Sequence, residues 1–318
     1  MRLFSSFKLS KANMDLLAKH GFTVDWTDDR PYGADLAKKF SEYDIVLVGI
    51  AQKIDTSMLT CVKKPLVIAT MSMGTDHLKD AINHPMVTIL NCASGNAVSV
   101  AEHIFALILA LRKKLLESKF LAWSAKGHRF NLSSRPYEIN GKTLGLVGAG
   151  NITREVIKIA RVFNLKLLCH TLPHPDNDDL VKLGVKFVEL DELLRTSDIV
   201  NILVPLNDST HNLISAEKIA LLRPDATFIN CARTAVVDTH ALIDYADKHP
   251  TFNVGLDIDI SDNPKFKSDK NYEDLEKLFA KQRKNVIVTP HTAGLTHEAV
   301  QGLENEIIGK ICELSGVL

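Results

Sequence analysis

The sequence predicts an α/β protein built from two doubly wound parallel sheets. Three observations carry this expectation. Short, nearly continuous apolar runs rich in β-branched residues recur along the chain, as strands buried on both faces require. Stretches with helical spacing separate them, and strand–helix alternation makes the strands parallel. At one junction, LGLVGAGNITREVIKIARVF (residues 144–163), strand meets helix across two glycines. That is the layout of an anion-binding turn.

Taken in order, YDIVLVGI (43–50), PLVIATMS (65–72) and MVTILNCA (86–93) read as buried strands. SVAEHIFALILALRKKLLES (99–118) is too long for a strand. Ser99 with Glu102 three residues on is a capping box, so one helix is expected over 99–118. It is apolar on most faces, so it is expected to be buried in the protein or against a second subunit. Residues 119–140 are polar and irregular and read as a long connection. From Gly141 the alternation is strict. Strands are expected at 144–147, 165–169, 185–188, 198–204, 226–232, 253–259 and 285–291. Helices are expected at 154–163, 178–183, 190–195, 216–222 and 239–248, with a last helix over 298–318 whose docking site its own pattern does not reveal.

The bulk properties narrow the function classes. With 318 residues the chain has room for two domains. Lysine plus arginine and aspartate plus glutamate number 38 each, so no net field draws it to nucleic acid or an anionic membrane, and neither is expected as a partner. The N-terminus has no apolar core of signal-peptide length, and the longest strongly apolar run, 104–111, is too short for a bilayer. The five cysteines form no CxxC pair. They read as reduced thiols of a cytoplasmic protein, with no disulfide framework and no metal site.

Gly148 permits the tight turn after the strand, and Gly150 lets the backbone approach a phosphate without a Cβ. The third glycine position of a dinucleotide fingerprint holds Thr153, whose hydroxyl is a possible extra donor. The acid that binds ribose hydroxyls is expected about 20 residues on. Thr171 stands there, His170 and His174 are weak substitutes, and no arginine replaces it, so the coenzyme can be NAD or NADP. Later strand ends carry Arg233 (FINCARTAVVD), Asp257, Asp259 and Asp262 (GLDIDISDNP), and His291 (VTPHTAG). In a parallel sheet these ends share the edge of the glycine loop. An arginine, a carboxylate and a histidine there suit chemistry on a small oxo acid.

MGTDHL, NAVSVAEH, GKTLGLVGAGNI, NILVPLNDSTHNLIS, FINCARTAVVD, GLDI and VTPHTAG, in this order and spacing, resemble the D-isomer-specific 2-hydroxyacid dehydrogenases over about residues 43–299. The resemblance implies a Rossmann-type coenzyme domain, 99–290, inserted in a discontinuous substrate domain, 1–98 and 291–318. It implies catalytic Arg233 and His291, with Asp262 in place of the family's glutamate and Asp259 as its rival. Substrate carboxylate would meet the backbone N–H groups of Ser72, Met73 and Gly74, with Asn96 nearby. Gly148, Gly150, Asn151, Ile152, Thr171, Val204, Pro205, Thr210 and Cys231 would hold the coenzyme, and Asp257 its carboxamide. The implied activity is reversible reduction of a 2-oxo acid to the D-2-hydroxy acid by a homodimer joined through the helix at Ser99. Two alternatives stand beside it. One is a non-catalytic NAD(H)-binding regulator. The other is a phosphoglycerate dehydrogenase-like enzyme, against which Gly49 stands where that branch carries a phosphate-binding arginine.

Overall fold

Among the described residues every strand pair is parallel, and the strands form two sheets. The computed structural model describes residues 1–123, 132–171, 178–258, 278–281 and 283–314. The chain divides into two compact units, 1–96 with 297–318, and 97–296. The expected domain boundaries were 98/99 and 290/291; the later return places His291 in the second unit.

The first unit contains β1 (Arg2–Ser5), α1 (Lys11–Lys19), β2 (Thr23–Trp26), α2 (Gly33–Glu42), β3 (Ile45–Val48), α3 (Thr56–Leu59), β4 (Leu66–Thr70) and β5 (Val87–Asn91). Its strand order is β2-β1-β3-β4-β5. The central strands β3 and β4 are buried along their whole length, which is why they read as unbroken apolar runs. One face of the sheet packs Leu36, Phe40 and Met58 from α2 and α3. The other packs Leu17 and the C-terminal helix, through Leu303, Ile307 and Ile311. That last helix therefore docks on the first unit. A buried Glu304 fixes it there, accepting from Ser10 N at 2.7 Å and Asn13 Nδ2 at 2.8 Å.

The second unit runs α4 (Ala97–Arg112), α5 (Leu115–Ala122), β6 (Thr143–Val147), α6 (Asn151–Val162), β7 (Lys166–His170), α7 (Asp178–Lys182), β8 (Val185–Phe187), α8 (Leu190–Thr196), β9 (Ile199–Ile202), α9 (Ala216–Ile219), β10 (Thr227–Asn230), α10 (Thr239–Lys248), β11 (Asn253–Asp257) and β12 (Val286–Thr289); the C-terminal helix, α11 (His297–Leu314), then returns to the first unit. The sheet order is β12-β11-β10-β9-β6-β7-β8. Because β7 and β9 lie on opposite sides of β6, the chain reverses direction there, and the loops after β6 and β9 part to leave a crevice. Helices α4 and α6 cover one face of this sheet, and α8 and α10 the other. The start of α10 matches the expected one because Asp238 caps it, accepting from Ala241 N at 3.0 Å.

The largest departure from the expected helices concerns the stretch before the second sheet. The single helix expected over 99–118 is two helices, α4 and α5, broken where Lys114 adopts a left-handed conformation at φ 52°. Ser99 does not cap α4, which starts two residues earlier; its hydroxyl instead donates to Ala293 O at 2.5 Å. Ten of the sixteen residues of α4 are buried, mostly against its own sheet and α6. Exposed apolar side chains on this stretch are Val98 of α4 and, on α5 and its end, Leu115, Leu116, Phe120 and Trp123.

All five cysteines are free thiols. Burial pushes the Cys92 and Cys169 thiols up to about 12, and raises Cys231 and Cys312 as well; the carboxylate of Asp257 raises Cys231 further. These four are buried and Cys61 is half-buried. With a colorimetric thiol reagent at pH 8, one equivalent is expected to react quickly in the folded protein and four only after denaturant is added. More than one fast thiol would contradict this packing.

Candidate active site

The glycine loop is built by two different glycine requirements. Gly148 sits at φ +116°, and a Cβ there would lie 2.8 Å from Leu203 O, so the turn closes onto the start of the β9 loop only without a side chain. Gly150 has ordinary dihedrals and caps α6, and a Cβ on it would meet nothing within 4 Å. Strand, turn and helix thus leave open space in front of a helix N-terminus, which suits a pyrophosphate. Gly148→Ala is expected to cost roughly 2–3 kcal/mol of stability, through a disfavoured dihedral and a backbone clash. Gly150→Val is expected to leave the melting temperature near wild type and to weaken coenzyme binding at least about tenfold, which is 1.4 kcal/mol. Thermal melts and coenzyme fluorescence titrations of the two variants check this; equal behaviour in both would contradict it.

Around the loop, two threonine hydroxyls are turned to backbone carbonyls. Thr153 is fully buried, and its hydroxyl donates to Gly148 O at 2.8 Å. It is a brace under the turn, not a ligand donor, because its one proton is used. Thr210 is likewise turned inward: its hydroxyl donates to Pro205 O and accepts from Asn207 N at 2.9 Å, closing the loop after β9. Val204 is half-buried and Pro205 exposed. Asn151 and Ile152 open α6, the first exposed, the second packed on the core. Thr171 follows β7 directly and is half-buried. His170 Nδ1 lies 3.1 Å from Val188 O, an acceptor only, so Nδ1 carries the proton. Arg154 stands at the loop, but its guanidinium is taken by Ala149 O at 2.7 Å and by Asp179 at 2.8 and 3.2 Å. His174 lies outside the described residues.

The C-terminal ends of β10, β11 and β12 carry the next group. Asn230 pairs with Leu256, and Leu256 with Val288. Arg233 and His291 are each three residues beyond this line, on strands two apart, hence roughly 10 Å between strand axes. Asn230, buried, sets the first turn: its Oδ1 accepts from Ala232 N at 2.9 Å, and its Nδ2 donates to Arg233 O at 3.1 Å. The expectations above did not include Asn230; the amide at the end of its strand is the sequence signal for this anchor. Arg233 itself is half-buried, and Cys231, beside it, is buried.

His291 is held at φ 52°, a left-handed conformation uncommon outside glycine. Asp257 holds the turn around it. Its Oδ1 accepts the Thr289 hydroxyl at 2.5 Å and Thr292 N at 2.8 Å, and its Oδ2 accepts Ala293 N at 2.8 Å. Asp257 is 0% exposed. Its oxygens face the turn that carries His291. Asp262 and Asp259, the expected acid and its rival, lie outside the described residues.

In the first unit, the loop after β4 turns its carbonyls inward. Ser72 O accepts Cys92 N, Met73 O accepts Asn91 Nδ2, and Gly74 O accepts the Ser72 hydroxyl at 2.7 Å. The Ser72 hydroxyl also lies 3.1 Å from Thr70 Oγ1, which in turn is 3.1 Å from His77 Nε2. Asn96 Oδ1 is buried without a hydrogen-bond partner among the described residues. No group of three histidine, cysteine or acidic residues suited to a metal occurs among the described residues, and no helix among them is long and apolar enough to cross a membrane.

Residues 105–293 match the model of the D-isomer specific 2-hydroxyacid dehydrogenase NAD binding domain. The chain is 29% identical over 317 residues to a glyoxylate reductase of Thermococcus litoralis, covering 97% of this chain and 92% of that protein. It is 30% identical over 284 residues to a hydroxypyruvate reductase of Thermotoga maritima, covering 89% and 88%. A crystal structure of D-lactate dehydrogenase from Aquifex aeolicus, complexed with NAD and lactic acid, superimposes with a TM-score of 0.80 at 26% identity, covering 100% of this chain and 96% of that one. Glycine loop, parallel sheet order and a family match over more than half the length agree: the chain belongs to the D-isomer-specific 2-hydroxyacid dehydrogenases.

Proposed function

We propose that this dehydrogenase reversibly reduces a 2-oxo acid of the size of glyoxylate or hydroxypyruvate to the D-2-hydroxy acid, with NAD or NADP as coenzyme. The observation that carries the reading is the edge formed by β6, β10, β11 and β12. An open glycine turn, a half-buried arginine and a histidine in a constrained turn all emerge there in one parallel sheet. The relatives named above as glyoxylate and hydroxypyruvate reductases set the substrate size to test first.

In this reading the N–H groups at the start of α6, with Gly148, Gly150, Asn151 and Ile152, take the coenzyme phosphates, while Thr171, Val204, Pro205 and Cys231 border the rest of it. A nicotinamide coenzyme held there would supply the hydride that the reduction of the substrate carbon needs. Arg233 pairs its planar guanidinium with the substrate carboxylate and polarises the carbonyl. His291, protonated, gives its proton to the carbonyl oxygen as the alcohol forms, and takes it back in the reverse direction. Asp262 is assigned the support of that imidazole. The loop of Ser72, Met73 and Gly74, with Asn96, is assigned to carboxylate recognition in the first unit, which makes that unit the substrate domain and the second the coenzyme domain. The exposed face of Leu115, Leu116, Phe120 and Trp123 supports a homodimer joined through α5. Five free thiols suit the reducing cytoplasm.

A panel of glyoxylate, hydroxypyruvate, pyruvate and longer 2-oxo acids, each with NADH and NADPH, tests the activity. Turnover of a short acid to the D-product is expected. Tight coenzyme binding with no turnover of any acid would instead favour a dinucleotide-binding regulator.

A further inference from the structure

We propose that Ser99 and His103, on one face of α4, are positioning residues that act on His291 through the two ends of its turn. The two side chains are four apart on a helix and so lie one above the other. Each reaches a different end of the same short turn. Ser99 Oγ donates to Ala293 O at 2.5 Å. His103 Nε2 lies 3.0 Å from Thr289 Oγ1 and 3.8 Å from Asp257 Oδ1. Between those ends stands His291, two residues from each.

Proton counting fixes the direction of these bonds. Asp257 Oδ1 is a carboxylate acceptor, so the single Thr289 hydroxyl proton goes to it at 2.5 Å. Thr289 Oγ1 must then accept from His103, whose Nε2 therefore carries a proton. The Asp257 oxygens also take the N–H groups of Thr292 and Ala293. The turn is thus tied at Thr289 by His103, at Ala293 by Ser99, and from beneath by Asp257. A non-glycine residue at φ 52° persists only where its surroundings over-determine it, and these are the bonds that do so. Asp257 belongs to the strand next to β12, but Ser99 and His103 come from a helix 186 to 194 residues away in sequence. The SVAEH segment thereby gains a task of its own: aiming the proton donor.

This inference rests on the function proposed above, and the experiment separates the two. In the full-length protein without substrate, the His291 ring resonances of His103→Phe are expected to shift and broaden relative to wild type in NMR. Unchanged resonances overturn the inference whether or not any 2-oxo acid is turned over. In turnover, His103→Phe and Thr289→Val are each expected to lower kcat by roughly 10- to 100-fold, the effect of an ångström-scale misplacement. KM and coenzyme affinity are expected to stay within about threefold, a split that general loss of packing would not give. Thr289→Ser, which restores the hydroxyl, is expected to recover most of the loss. In a double-mutant cycle, His103→Phe should cost nothing further once His291→Ala is present. A further loss on that background, or a wild-type kcat in His103→Phe, overturns the inference. If His103→Phe folds poorly, His103→Gln, which keeps an amide donor near the Nε2 position, is expected to retain kcat; loss of kcat in well-folded His103→Gln equal to that in Thr289→Val also overturns it.

Discussion

His291→Ala is expected to lower turnover of the preferred 2-oxo acid by about 10²–10⁴-fold, the usual worth of a positioned proton donor. Coenzyme binding should change little, because the glycine turn lies on β6, three strands from β11 and four from β12. His291→Gly sharpens the test. The residue occupies a left-handed conformation that favours glycine. His291→Gly is therefore expected to lose as much turnover as the alanine variant while gaining up to about 1 kcal/mol of stability. Stopped-flow reduction rates and thermal melts of the two variants supply both numbers. A fully active glycine variant would remove His291 from the proton-transfer role. A fully inactive variant that is also strongly destabilised would instead make the residue structural.

Arg233→Ala is expected to reduce kcat/KM by roughly 10²–10³-fold, through loss of a charge-assisted pair to the substrate carboxylate. The local fold should survive. Asn230 holds this turn through the backbone N–H of Ala232 and the carbonyl of Arg233, neither of which the substitution touches. Arg233→Lys keeps the charge but not the fork, so it is expected to recover less than a tenth of the lost efficiency. Steady-state kinetics over a substrate range, with melts as the control, decide the matter. If Arg233→Lys equals wild type, the guanidinium is acting as a bare charge and the bidentate reading fails.

Much of this was readable before any coordinates. The strands β3 and β4 are buried on both faces, so their nearly continuous apolar runs were a direct imprint of their environment. Gly148, Arg233 and His291 were legible because turn chemistry and strand ends are local matters. Other features were hidden for equally physical reasons. The break at Lys114 follows no helix-breaking residue, and the run 99–118 looks continuous by periodicity. Thr153 looked like a ligand donor because sequence spacing locates a hydroxyl but not the carbonyl that takes its proton. The bonds of Asp257 to the turn of His291 were hidden for the same reason.

The sequence by itself determined the alternation of strands and helices, the glycine turn and the place of Arg233 and His291 just beyond strand ends. Each depends on neighbours within a few positions, where periodicity and turn preference act. Only the tertiary structure decided which way Asp257, Thr153 and Ser99 point, and that α4 grips the turn carrying His291. Those partners lie as much as 194 residues apart, and hydrogen-bond pairing over such distances follows from strand order and helix placement, which no local pattern encodes.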